Sequence, residues 1–183
     1  MYGMVNKSVE SMVRANCGDA VWETIKERAG VTTISFISNE PYDDNITYKL
    51  VGAASDILGK PPEEILETFG DHWVNNTAMS SHPDLMALTG RSLPEFLSNL
   101  NNMHVRVRMV FPNLRPPRFE VTDVGPSSLR LHYYSHRDGL AHFAIGLVKG
   151  LGRLFSTPAT VVQVEWRAKG ADHDEFDVHW SAV

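Results

Sequence analysis

The chain has a single cysteine, Cys17, and that scarcity excludes an internal disulfide and any multi-cysteine zinc or iron–sulfur centre. Cys17 itself reads as a packing residue at a helix end. No uninterrupted apolar stretch approaches the roughly 18 residues of a membrane span. The opening Met1-Tyr2-Gly3-Met4-Val5-Asn6-Lys7 also lacks the basic segment followed by an apolar one that marks an exported chain. A cytoplasmic protein with no membrane partner is the expectation. Basic charge is short as well: 17 Lys and Arg face 22 Asp and Glu, a net charge of −5. Nucleic acid is therefore not an expected partner, because phosphate recognition requires a basic patch or stripe and Arg106 with Arg108 makes only a local spot. There is no internal repeat and no low-complexity segment. A 43% hydrophobic content over 183 residues is enough for one domain, residues 1–183, with a full core.

What is present changes period midway. Apolar residues at helical spacing predict helices over residues 3–15, 19–29 and 45–58, the last closed by Gly59. Pro61-Pro62-Glu63-Glu64 opens a fourth, with Leu66, Phe69 and Trp73 on one face. A short helix is expected over 84–88, and Ser92 is positioned to cap a long one running to Val110. Pro112 and the pair Pro116-Pro117 end that helix. Beyond them alternation predicts strands over 118–124, 128–135, 160–168 and 174–180, with a helix over 139–155 inserted. The fold class is α+β: a helical N-terminal lobe (1–60) and a C-terminal lobe (61–183) built on a four-stranded antiparallel sheet with helices.

Leu129 to Arg137 carries the first candidate site. Strand alternation puts Tyr133, Ser135 and Arg137 on the side of Leu129 and Leu131, so three hydrogen-bond donors continue a core-facing row. At roughly 3.4 Å per residue, Tyr133 and Arg137 lie about 13 Å apart, a span suited to a ligand with two carboxylates. The alternative is that Tyr133 fills the core and Arg137 leans out to meet Asp43 or Asp44. The second candidate is His104, which falls on the apolar stripe of Leu93, Phe96, Leu97, Leu100, Met103 and Val107. An inward histidine is either a neutral, hydrogen-bonded core residue or a metal ligand, and a lone imidazole facing an apolar cavity is how a five-coordinate haem iron is held. The helix from Gly139 offers a complementary surface of Leu140, Phe143, Ala144, Leu147, Val148 and Leu151. His142 falls instead with Lys149 and Arg153, on a solvated face. The histidines at 72, 82, 132, 136, 173 and 179 show no spacing that pairs them on one helix.

Met1-Tyr2-Gly3, His104, Arg115-Pro116-Pro117-Arg118-Phe119 and the Tyr-x-Ser-x-Arg motif at Tyr133, Ser135 and Arg137 together resemble the haem nitric oxide/oxygen-binding (H-NOX) domains, which include the haem domain of the soluble guanylate cyclase β subunit. The resemblance implies haem b between the lobes, with His104 as proximal iron ligand and Tyr133, Ser135 and Arg137 on the propionates. It further implies Pro117 pressed against the porphyrin, and a distal lining of Val5, Trp73, Phe143 and Leu147. Phe143 stands where oxygen-binding members hold a tyrosine. Since phenylalanine cannot donate a hydrogen bond to polarised O₂, the expectation is a ferrous sensor of NO (and CO) that excludes O₂. By the same resemblance, NO binding trans to His104 weakens the iron–histidine bond and shifts the helix that carries it. The signal then passes to a separate protein, a histidine kinase or a diguanylate cyclase, and the domain itself is not an enzyme. The rival readings are a haem peroxidase, against which no distal His/Arg pair stands on a pocket-facing stripe, and a haem-free module for an apolar carboxylate.

Overall fold

The computed structural model describes residues 1–181; Ala182 and Val183, which the single-domain range 1–183 includes, lie outside the described residues. Four helices come first: α1 (Gly3–Cys17), α2 (Asp19–Arg28), α3 (Asp44–Leu58) and α4 (Pro62–His72). α4 then runs without a break into a π-helical stretch, Trp73–Ala78, and the single turn α5 (Met79–Ser81). Hydropathy spacing does not announce the π turns, since they differ from α-helix in hydrogen-bond partner and not in composition. α6 (Pro83–Thr89) and α7 (Leu93–Val110) follow, and then β1 (Arg118–Thr122), β2 (Ser128–Tyr134), α8 (Ala141–Leu154), β3 (Ala159–Glu165) and β4 (Asp174–Trp180).

The element ends differ from expectation for local reasons. Ser92 does occupy the position before α7, but its side chain makes no capping bond; the Glu95 carboxylate accepts the Arg91 N–H at 2.8 Å instead. β1 stops at Thr122 because Asp123 turns into the left-handed region at φ 52°, which ends a ladder. β2 stops at Tyr134, so Ser135 and Arg137 lie just past the strand and not in it. β3 stops at Glu165, ahead of a 3₁₀ turn at Arg167–Lys169.

The sheet order is β1-β2-β4-β3, with every neighbour antiparallel. Alternation on β2 is strict: Leu129, Leu131 and Tyr133 are buried, and the residues between them are not. With Phe119, Phe176 and Val178 these residues form the inner face, which packs in one core with Leu93, Phe96, Leu97 and Leu100 of α7 and Ala144, Val148 and Leu151 of α8. Each such Leu or Phe contributes on the order of 1.5–3 kcal/mol on burial. A second core joins Val9 and Val13 of α1, Trp22 and Ile25 of α2, Leu50 and Ala54 of α3, and Ile65, Leu66 and Phe69 of α4. The N-terminal core thus continues past residue 60.

α4 and α8 hold the two cores together and approach to backbone contact. A Cβ built on Gly146 would stand 2.1 Å from the Glu67 carbonyl oxygen, and one on Gly70 would stand 2.3 Å from that of Phe143. Neither neighbour is a movable side-chain tip, so the helices would have to separate. Gly146→Ala is expected to cost about 1–3 kcal/mol, read as a melting temperature lowered by roughly 2–4 °C for each kcal/mol. An unchanged melting curve would mean that the helices do not pack this closely.

Candidate functional site

Between the two cores lies a cavity of about 810 Å³, toward the upper end of the roughly 300–1,000 Å³ typical of small-molecule sites. His104, Pro117, Tyr133, Ser135, Arg137, Val5, Trp73, Phe143 and Leu147 all line it. These nine come from α1, the π segment, α7, α8, β2 and the loops beside β1 and β2, so only the folded chain brings them together.

His104 projects from α7 two-thirds of the way along the helix and is half-buried where it borders the cavity. Its Nδ1 is sealed from solvent and has no hydrogen-bond partner. Phe119 lies beside the ring, with centroids 6.0 Å apart. Burial pushes the imidazole pKa down to about 4; the Pro117 carbonyl opposes this only weakly, near the ring without completing a bond to Nδ1. A neutral ring with no protein partner has an electron pair to give. Because Nδ1 is sealed beside the Pro117 backbone, the pair that a cavity ligand can take is the one on Nε2, which makes no hydrogen bond among the described residues.

The depressed value sets a sign for acid behaviour. Above about pH 6.5 folded and unfolded chains alike carry a neutral imidazole at this position, and below it the unfolded chain takes the proton while the folded chain refuses it down to about pH 4. Stability from this group is therefore full above pH 6.5 and lost as pH falls through that window. The urea midpoint of the wild-type chain should fall more between pH 7 and pH 4.5 than that of a His104→Gln variant. Parallel curves would show that His104 is not sheltered.

On the sheet side, Tyr133 is 3% exposed. Burial pushes its hydroxyl up to about pKa 12, against a smaller opposing effect of Ser135, so the group stays a donor. The Ser135 hydroxyl accepts the Arg137 N–H at 3.0 Å and shapes the turn after β2. Arg137 meets Asp44, the pairing held open as its alternative: Nε reaches Oδ2 at 2.7 Å, Nη2 reaches Oδ1 at 3.4 Å, and Nη1 donates to the Arg115 carbonyl at 3.0 Å. Of the five N–H groups on a guanidinium these use three, leaving two donors on a residue that lines the cavity. Burial alone would raise the Asp44 carboxyl, but hydrogen bonds from Arg137 and the terminal amino group of Met1 hold it below the usual carboxylate range.

The opposite wall is aromatic. Phe69 and Phe143 lie 4.8 Å apart, and Trp73 meets them edge-on at 6.3 and 6.5 Å. This cluster packs on the N-terminal core while the base of α7 packs on the other, so the cavity separates Phe143 from His104. Among the described residues Trp73 Nε1 donates no hydrogen bond, which leaves it the one N–H donor in that cluster. Two histidines with no role assigned from sequence, His82 and His136, also line the cavity. His82 is the single residue between α5 and α6 and His136 lies in the bend after β2, where helix periodicity carries no signal. His142 lies outside it, bonded to Glu67 at 3.0 Å beside Lys149, as its outward stripe implies.

The residues present fit an iron porphyrin: a neutral nitrogen donor on α7, apolar walls, and Tyr, Ser and Arg donors for two carboxylates. Comparison with known proteins agrees in fold and family. The Haem-NO-binding family model matches residues 2–163. The soluble guanylate cyclase gcy-31 of Caenorhabditis elegans is 28% identical over 162 residues, 88% of this chain and 23% of that protein. Its gcy-32 is 30% identical over 177 residues, 94% of this chain and 26% of that protein. The chain thus spans about a quarter of the length of these curated relatives. An H-NOX protein from S. oneidensis in the Fe(II)NO state superposes with a TM-score of 0.89 at 22% identity, over 99% of both chains. The unliganded Fe(II) H-NOX protein from K. algicida gives 0.85 at 22% identity, over 99% of this chain and 97% of that one.

Proposed function

Because this chain belongs to the haem-NO-binding family, we propose that it holds haem b in the cavity, with His104 as the iron ligand, and reports NO and CO, but not O₂, to a separate protein. The observation that carries this reading is the neutral, unpartnered His104 imidazole on the wall of an 810 Å³ cavity. When bound, the haem supplies a ferrous iron at which a diatomic gas coordinates.

The chain's own residues do the rest. His104 offers its electron pair without competition from a proton at neutral pH. Tyr133, Ser135 and the free N–H groups of Arg137 hold the carboxylates at the C-terminal end of β2, and Pro117 stiffens the wall next to His104. Val5, Phe143 and Leu147 exclude water from the gas side and offer no hydrogen bond, which favours NO and CO over O₂. In this scheme residues 1–60 are the distal part of one domain and 61–183 the proximal part. His104 stands on α7, whose base lies in the C-terminal core while its exposed end borders the cavity. A change in the pull on His104 therefore biases how that helix sits against the N-terminal core, a two-state device. A histidine kinase or a diguanylate cyclase in the cytoplasm is the proposed receiver. Among the described residues no helix is long and apolar enough to cross a membrane.

The test is reconstitution of the full chain with haem under reducing conditions. A Soret band that moves on addition of NO or CO and stays unchanged in air is the expected result. Failure to take up stoichiometric haem, or a ferrous spectrum that changes reversibly in air, overturns the reading.

A further inference from the structure

The sheet has a second face. Because Leu131, Tyr133, Phe176 and Val178 are committed to the core, their neighbours His132, Tyr134, Glu175 and Asp177 point away from the gas cavity. His132 and Glu175 are directly opposed in the β2–β4 register. His173, just ahead of β4, folds over the same spot, its ring stacked on Tyr134 with centroids 4.1 Å apart.

Three ligating atoms thereby converge. His132 Nδ1 lies 2.9 Å from His173 Nε2, His132 Nδ1 lies 3.4 Å from Glu175 Oε1, and His173 Nε2 lies 3.2 Å from the same oxygen. A tetrahedral zinc ion with ligands at about 2.0–2.1 Å holds neighbouring ligand atoms about 3.3–3.4 Å apart. The triangle is within a few tenths of an ångström of one face of that tetrahedron.

The outer edges of both rings are engaged. His173 Nδ1 lies 2.5 Å from Asp172 Oδ1 and His132 Nε2 lies 2.9 Å from Thr122 Oγ1. A carboxylate can only accept, so the Asp172 bond puts the His173 proton on Nδ1 and leaves Nε2 as a lone pair. The Thr122 hydroxyl donates to Asp123 Oδ2 at 3.4 Å, so its oxygen is free to accept His132 Nε2–H; in that tautomer His132 Nδ1 is a second lone pair and Glu175 Oε1 a third acceptor. Arg130 is the nearby cation, but it bonds Glu175 Oε2 at 3.2 Å and Asp177 at 2.7 Å, leaving Oε1 to the cluster. In that tautomer three acceptors stand within about 3.4 Å of one another, an arrangement that a cation among them satisfies, whereas a proton on His132 Nδ1 would serve only one of the other two. Metal-bound histidines characteristically anchor their other nitrogen in this way.

We propose that His132, His173 and Glu175 bind a zinc-class divalent cation, with water at the fourth position, on the sheet face opposite the gas cavity. Side-chain exposures of 16%, 11% and 17% leave a path for the ion and the water. Two imidazoles select zinc over magnesium or calcium. The ion would pin β2 to β4 one residue from Tyr133, the buried donor of the cavity wall. This site does not depend on haem binding.

Calorimetric titration of the tag-free full chain with zinc sulfate tests it. One equivalent per chain is expected, with the same affinity in haem-free and haem-loaded protein. Glu175→Gln and His173→Asn should each weaken binding at least tenfold, the low end of the effect of disturbing even the outer partners of a metal site, and His142→Asn should not. Should a variant fold poorly, zinc-edge X-ray absorption on the wild type decides: two imidazole nitrogens and oxygen ligands at about 2.0–2.1 Å support the site. Absence of a stoichiometric equivalent, or an affinity unmoved by both Glu175→Gln and His173→Asn, overturns it.

Discussion

Replacing His104 with alanine is expected to lower haem affinity by more than about a hundredfold, and added free imidazole is expected to restore it. Disturbing the groups that merely orient a metal ligand already costs about 10- to 100-fold, and His104 is the ligand itself in this reading. The substitution removes a ring that no other residue holds by a hydrogen bond, so it opens a space bounded by Phe119 and the Pro117 loop that a free imidazole can enter. The fold should survive, because Leu93, Phe96, Leu97 and Leu100 anchor α7 and His104 contributes to neither core. The measurement is the Soret spectrum of the variant at stoichiometric haem, with and without imidazole. Retention of wild-type ligation without added imidazole would transfer the role to another cavity histidine, His82 or His136, and remove the assignment of His104.

The elements most legible in the sequence are those whose burial is one-sided. β2 alternates because one face is core and the other is not, so the positions of Leu129, Leu131 and Tyr133 follow from spacing alone. The α7 stripe is equally clear, and it is what turns His104 inward. The π turns at Trp73–Ala78 are a different case: they change a backbone pairing without changing residue types, yet they set Trp73, Val74, Thr77 and Ala78 on the cavity wall. Arg137 was readable only as a pair of options, donor row or partner of Asp44. It pairs with Asp44 from just past the end of β2 and still lines the cavity, because a guanidinium has donors on more than one edge. The His132, His173 and Glu175 cluster left no trace in local spacing. Its members are brought together by the β2–β4 register, and residues paired across strands so far apart in sequence have no fixed spacing.

Phe143→Tyr is expected to raise O₂ affinity by roughly 10- to 100-fold while changing CO affinity far less. Bound O₂ draws charge onto its outer atom and CO does not, so a hydroxyl donor helps one and is nearly indifferent to the other. A hydrogen bond to a charged acceptor contributes about 1.5–3 kcal/mol, and each 1.4 kcal/mol is a factor of ten. Phe143 is the position to change because its ring sits in the cluster with Phe69 and Trp73 on the wall away from His104, and because the cavity leaves room for one added oxygen. Phe143→Leu is the control, since it alters the volume of that wall without adding a donor and should leave the O₂ response of the wild type. Gas titrations of the ferrous protein followed by absorption separate the outcomes. If Tyr and Leu behave alike, the hydroxyl does not reach the bound gas, and O₂ exclusion must come from something other than the missing donor at this position. If wild type itself holds O₂, the indole N–H of Trp73, which has no partner among the described residues, is the donor that the aromatic wall already contains.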